Sequence, residues 1–454
     1  MRLGVCGIVS LFVLALAPAA HGAQRYAAPT GTGAECTQAK PCALSEAVGA
    51  AKAGDEVIVL AGTYPLSGPL FLPPVTNVQI HGEPSGPMPR ITASFPGTIF
   101  GLTQTGDSLS YLEIESNANG GAGVLCLGSR IERVKVKVVG AGAMGALVYP
   151  DCLIRNSLFR VQGNSSVGLR SAASGSGKSS AAARNVTAIA SGTNSFGALA
   201  EYNEGVPGSF TLELENSILQ GGEADLKPSA GPKGPGEILA THDNFDTASP
   251  VGEAKVIDGG GNQTAAPLFV DAENGDYREA PGSPTIDAGV AGELGPLDLS
   301  GSPRTLGAAP DIGAFEVTPP VGQIQSLAVK PGAFRAGNVA GAVASRRKKA
   351  AAPLGATVSY SLSATGSVEF SVERKSAGRK AGKKCVKQTA ANKAHKKCSF
   401  YKPLKGSFSV TGATGSNSFR FSGRLGGKPL KPGSYRLTAA AGGAAKKAVF
   451  KIVK

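Results

Sequence analysis

The sequence predicts an all-β chain in two parts, a parallel β-helix solenoid followed by a small β-sandwich. Three observations predict it. Two short patterns recur in one register between residues 109 and 220, the charge changes sign near residue 320, and beyond that point six short alternating segments are separated by glycine-rich turns.

The first pattern is LSYLEI, RIERVKV, LIRNSLF, AARNVTA and LELENSIL, pinned at Tyr111, Arg133, Asn156, Asn185 and Asn216, with intervals of 22, 23, 29 and 31. The second, GVLCL, GALVY, GLRS and GALA, starts at Gly123, Gly145, Gly168 and Gly197, each twelve residues after its partner. Unrelated strands do not keep a constant offset while their period drifts. A solenoid does, because insertions collect in one loop and leave the rest of the coil in step. The repeats are too short for helix pairs and alternate with period two, so they read as strands. Leu112, Ile114, Val134, Val136, Ser157, Phe159, Val186, Ala188, Ser217 and Leu219 share the parity expected to face inward. The opposite parity places Glu113 and Glu115 over Lys135 and Lys137, which predicts acid-over-base pairs on a solvated outer wall, with substrate binding as the alternative. Asn156, Asn185 and Asn216 fall at the bend before each strand, where stacked amides would satisfy turn backbone groups, a structural role.

The two parts differ in charge. Residues 1–320 hold 19 Lys plus Arg against 30 Asp plus Glu (−11), and residues 321–454 hold 27 against 2 (+25), which together give the chain's +14. A basic tail on an acidic body points to an anionic polymer or surface as partner. Residues 1–23 read as an export signal: Arg2, the apolar run Leu3 to Leu16, then small residues Ala17 to Ala23. The run is short for a membrane span, and Cys6 precedes any usable cleavage site, which argues against a lipid anchor. The expected product is a monomer outside the cytoplasm, without a transmembrane anchor. Export disfavours nucleic acid and nucleotide as partners.

The six remaining cysteines suit an oxidising compartment and fall as Cys36 with Cys42, Cys126 with Cys152, and Cys385 with Cys398. The middle pairing depends on a geometry that sequence leaves open. Zinc is the competing reading, but no CxxC occurs and His21, His81, His242 and His395 are scattered.

In chain order, residues 24–64 read as a cap over the first coil: a helix over Ala43 to Ala53 ended by Gly54, then the buried strand EVIVL. With its cysteine pair and DEVIVLAGTY, this segment is similar to the start of secreted right-handed parallel β-helix proteins of the pectate-lyase-like superfamily. VQIHG and RITASF follow as strands. Residues 172–179 match a phosphate-loop pattern through Gly177, Lys178 and Ser179, but an in-register strand follows where a helix is needed, so the match is rejected. Residues 255–316 carry PLFVD, GDYR, GSPTIDAG and DIGAFE, which resembles the choice-of-anchor Q domain, found at the closing end of bacterial β-helices ahead of surface-attachment regions. That resemblance extends the β-helix over 24–318. Asn274-Gly275 reads as a hairpin turn, and Asp287, Asp298 and Asp311 as caps on backbone amides. No cofactor is expected; calcium at Asp271, Glu273 and Asp276 is the alternative, with too few ligands in the spacing.

Thr318-Pro319-Pro320 opens a linker assigned to 319–330, and residues 331–454 read as a basic immunoglobulin-like sandwich. The loop between Cys385 and Cys398 and its flanks bring together Lys383, Lys384, Lys387, Lys393, Lys396 and Lys397 as candidate polyanion ligands; a merely solvated loop is the plain alternative. RRKK at 346–349 imitates a nuclear signal that export makes irrelevant. With neither a sorting motif nor a terminal apolar helix, attachment is expected to be non-covalent. The function expected is a secreted or cell-surface scaffold that binds anionic cell-wall polymer or extracellular polysaccharide. The alternative is a polysaccharide lyase or glycoside hydrolase on acidic glycans, by fold analogy. Against it stand the absence of tryptophan and of a paired Asp-Asp in the coils; Tyr149, Phe159, Phe196 and Tyr202 would remain for stacking, and Arg133, Arg155, Arg160 and Arg170 for a uronate or, more simply, the solvated wall.

Overall fold

The computed structural model describes residues 22–173, 177–202, 207–318, 322–337 and 352–454. Residues 1–21 of the expected export signal, the RRKK run and residues 319–321 of the linker lie outside them. Contacts divide the chain into two units, Met1–Thr318 and Pro319–Lys454. Among the described residues no helix is long and apolar enough to cross a membrane.

The first unit is a parallel β-solenoid of about 7 turns with three walls. The first wall stacks Gln24–Ala27, Glu56–Val59, Gln79–Gly82 and the leading halves of Ser108–Ser116, Arg130–Val139, Leu153–Gln162 and Gly177–Ser191. The trailing halves of those long strands build the second wall on Thr63–Leu66 and Arg90–Ala93. The third wall holds Thr98–Leu102, Ala122–Cys126, Met144–Val148, Val167–Ala173, Phe196–Tyr202 and Ala224–Gly231.

The corner between the first two walls is made by the residues that pin the first pattern. Tyr111, Arg133, Asn156, Asn185 and Asn216 have φ between 49° and 55°. That left-handed conformation costs most side chains roughly 1–2 kcal/mol, and asparagine tolerates it best because its short amide bonds locally. The ten residues expected to face inward are all buried. They stack in columns such as Ile114, Val136, Phe159, Ala188 and Leu219, and each large side chain removed from water contributes roughly 1.5–3 kcal/mol. The glycines of the second pattern make room for that column. A Cβ on Gly123 would lie 2.2 Å from Val136 Cγ1, and one on Gly145 would lie 2.8 Å from Phe159 Cβ.

Disulfides join Cys36 to Cys42, Cys126 to Cys152 and Cys385 to Cys398. The second clips neighbouring coils, since Cys126 pairs across from Val148 and Cys152 follows the turn after that strand, just before Leu153–Gln162. The N-terminal helix spans only Leu44–Gly49, shorter than expected, because residues 50–54 turn sharply and the Asp55 carboxylate caps Lys52 N at 2.9 Å and Ala23 N at 2.8 Å. Lys178 and Ser179 lie in the strand Gly177–Ser191.

The second unit packs two sheets on one core. Ile324–Lys330, Ala356–Leu362 and Gly415–Phe421 form the smaller sheet. The larger contains Ala333–Phe334, Ala444–Ile452, Gly433–Ala441, Gly366–Ala381, Lys384–Val386 and Lys397–Gly412. Phe334, Phe370, Phe421 and Phe450 fill the space between, with Phe334 stacked on Phe450 at 5.5 Å. One expectation is corrected here: residues 324–330, assigned to the linker, form a strand because they pair with 357–362. The segment between Cys385 and Cys398 includes a loop at 387–396, set at the end of the long ribbon that Gly366–Ala381 and Lys397–Gly412 form.

Candidate functional site

Two surfaces, one in each unit, carry chemistry. On the first unit, residues 286–317 lie over the outer second wall as a strap, held by the corner asparagines. Asn156 Nδ2 donates to Leu294 O at 2.6 Å, Asn185 Nδ2 to Asp311 O at 3.0 Å and Asn216 Nδ2 to Val290 O at 2.8 Å, while Asn216 Oδ1 accepts from Val290 N. The amides are structural, but they reach the strap instead of laddering on one another. Arg133, expected on the solvated wall, is buried: its Nε donates to Asp298 O at 2.9 Å and its guanidinium lies 4.7 Å from the Tyr111 ring centre.

The strap closes on a buried arginine. Arg304 Nη2 donates to Glu316 Oε2 at 3.0 Å and to Asp311 O at 2.8 Å, and Nη1 donates to Gly313 O at 3.1 Å. Burial pulls Arg304 below the usual guanidinium range, with the surrounding carboxylates opposing it. Beside it Glu279 is buried, and burial pushes its pKa up to about 8. The capping aspartates stand as read from sequence: Asp287 Oδ1 accepts from Ala308 N at 2.7 Å, Asp298 Oδ1 from Ser302 N at 2.7 Å and Asp311 Oδ2 from Val317 N at 2.6 Å.

Where the strap stops covering the wall, a groove of about 510 Å³ opens, walled by Glu113, Glu115, Lys135, Lys137 and Arg160 on one side and by Asn274, Asp276, Arg278 and Ser300 on the other. The charge ladder is in register, Glu113 beside Lys135 and Glu115 beside Lys137, yet these heads do not close into ion pairs. Glu115 bonds Arg90 one coil away, and Asp276 bonds Arg278, whose guanidinium holds that carboxylate below its usual range. Asp271 accepts from Asn274 Nδ2 at 2.8 Å, and Glu273 offers its carbonyl to Arg160. Among the described residues no group of three or more His, Cys, Asp or Glu is placed to hold a metal ion. Arg155 pairs with Glu132 at 2.7 Å and Arg170 with Glu201 at 2.6 Å. Of the aromatics thought free for stacking, Phe159, Phe196 and Tyr202 are buried, which removes them from any open groove. Asp107, in another groove with Asp151 and Arg130, is pushed up to about 6 by burial, but its Oδ1 caps Val78 N at 2.9 Å on the preceding coil. That is a turn cap.

On the second unit the six lysines at 383, 384, 387, 393, 396 and 397 are all exposed at the tip of the ribbon. The Cys385–Cys398 disulfide ties Lys384–Val386 to the ribbon as a third strand, and Arg379 anchors the intervening turn through Gln388 Oε1 at 2.9 Å and His395 O at 3.1 Å. The unit's two glutamates, Glu369 and Glu373, lie in the strand Gly366–Ala381, and Glu373 accepts from Arg436 Nε at 2.6 Å. The charge pattern made the lysines visible in the sequence. The groove residues Asn274, Asp276 and Arg278 were not visible as a site, because only the strap brings them opposite the second wall.

No family model and no curated protein matches the chain. Among solved structures it is similar to the catalytic domain of a GH87 alpha-1,3-glucanase in complex with tetrasaccharides, at 10% identity and a TM-score of 0.15, covering 46% of this chain and 65% of that one. No residue role passes from that protein to this chain.

Proposed function

We propose that this protein is an exported or cell-surface β-helix scaffold whose basic second unit holds an anionic cell-wall polymer or extracellular polysaccharide. In this reading residues 255–316 are a closure of the choice-of-anchor Q kind, and residues 1–23 are the export signal. The observation that carries the reading is the tip of six exposed lysines, held in one place by a disulfide in a unit whose side chains include only two carboxylates, Glu369 and Glu373. Preorganised like charges of this kind attract polyanions by a force that salt screens within about 10 Å at 0.1 M. The three disulfides suit an oxidising compartment. Deleting residues 321–454 should abolish salt-sensitive retention on isolated cell walls while the solenoid keeps its far-ultraviolet circular dichroism; unchanged retention refutes the reading.

A second reading, a lyase or hydrolase acting on acidic glycans, is favoured by one feature: carboxylates on both sides of the first unit's groove, Glu113 on the wall and Asp276 on the hairpin. Release of unsaturated or reducing ends from a panel of uronic-acid polysaccharides would establish it. The scaffold reading expects none.

A further inference from the structure

We propose that one face of the ribbon formed by Gly366–Ala381 and Lys397–Gly412 is an extended site for a linear, negatively charged glycan, with a sugar-holding groove at its base and the lysine tip at its far end. This rests on the reading that the basic unit holds a polyanion. It adds the path of the polymer and the reason for a sugar.

At the base lies a groove of about 410 Å³ whose walls include Lys375, Tyr401, Ser434, Val449 and Lys451. Lys375 pairs across from Tyr401, and Ser434 across from Lys451. Arg374 pairs with Tyr435, which sets Lys375 beside Ser434 and completes one row across four strands. The Tyr401 ring is fixed from one side: the Arg436 guanidinium lies 4.2 Å from its centre and is itself held by Glu373. Arg436 does not line the groove, so the ring offers the groove a contact that Arg436 leaves free. Val449, 65% exposed, lies on the same outward face. An aromatic ring, an exposed aliphatic side chain, a hydroxyl and two flanking ammonium groups match a sugar bearing an acidic substituent: its C–H face packs on Tyr401 and Val449, its hydroxyls reach Ser434, and its charge sits between Lys375 and Lys451. A phosphate polymer has no such apolar face.

From there the face continues along the ribbon. Side chains two apart share a face and are about 7 Å apart along a strand. The next row is Ala377 with Ser399, small and uncharged, then Arg379 with Lys397, then Ala381 with Lys384. From the sugar groove the face thus passes one row of small residues and then meets Arg379 and Lys397, reaching the cationic tip over roughly 20 Å. Nucleic acid would be drawn to the same cations, but binding single strands relies on a run of aromatic rings for successive bases, and this face has one.

The test uses the full chain, with heparin decasaccharide, inorganic polyphosphate and single-stranded DNA of matched charge as probes in calorimetry. The base variant is Lys375→Gln with Lys451→Gln. The tip variant is Lys383→Gln, Lys384→Gln and Lys387→Gln. Near-ultraviolet circular dichroism checks folding, and Lys375→Arg is the conservative control. The base variant should weaken the decasaccharide by about tenfold or more, in line with lost charge-assisted contacts, and the polyphosphate far less. The tip variant should weaken both, and Lys375→Arg should keep sugar binding. Unchanged decasaccharide binding by the base variant overturns the extended site, while a loss in the tip variant alone leaves the polyanion reading standing. No loss in either variant overturns both. Equal losses for sugar, polyphosphate and DNA in the base variant, or tighter binding of DNA than of the decasaccharide by the unaltered chain, overturn the sugar assignment.

Discussion

Glu279 gives the first unit a pH dependence whose sign and size follow from its surroundings. It is 5% exposed beneath the strap, and burial raises its pKa from 4.5 to about 8, with the nearby Thr285 hydroxyl offsetting part of the effect and the Asp311 carboxylate adding to it. The folded chain therefore holds a proton that the unfolded chain gives up once pH exceeds 4.5. Stability from this group is fully present below pH 4.5 and is lost as pH rises to about 8. The two pKa values differ by about 3.5, which corresponds to roughly 5 kcal/mol at and above the higher one, with about 3 kcal/mol already lost at pH 7. Glu279→Gln keeps the shape and removes the ionisation, so it should flatten this dependence and stabilise the strap at neutral pH. Hydrogen exchange at Gly313 and Ala314 reports the strap directly, since their amides bond Asn216 O at 2.7 Å and Thr187 Oγ1 at 3.0 Å. After correction for intrinsic rates, protection relative to Glu279→Gln should fall steadily from about pH 5 to pH 8. Parallel profiles for the two proteins, or protection that grows with pH, would refute the reasoning.

Two further outcomes follow from the same geometry. Asn216→Ala removes both amide bonds to Val290 and puts a residue that disfavours positive φ at the corner; it should cost about 2–4 kcal/mol, visible as faster proteolytic nicking between residues 287 and 317. Replacing Cys126 and Cys152 by serine opens a 26-residue loop between coils and should cost about 3–4 kcal/mol, seen as a lower midpoint in denaturant, with no change in polyanion affinity because that surface is in the other unit.

The solenoid was legible because its determinants are local and repeated. A residue such as Asn156 sets a corner through its own φ, and Gly145 fits only where a facing core side chain leaves no room, so each coil writes the same constraint into the same place. Parity alone assigned Leu112 and Phe159 to the core, since a strand exposes alternate residues to opposite faces. Composition alone separated an acidic body from a basic tail and drew attention to Lys383 through Lys397. Parity could not say what covers the outside of a wall. Arg133 and Leu158 have the sequence marks of an outer face, and both are buried because the strap arrives from residues 286–317. The same distance in sequence hid the groove between Glu113 and Asp276, and the row that runs from Tyr401 through Lys375 and Ser434 to Lys451. Register within a coil depends on neighbours a few residues away, whereas a site assembled from residues as far apart in the chain as Glu113 and Asp276 exists only once closure of the fold has brought them together.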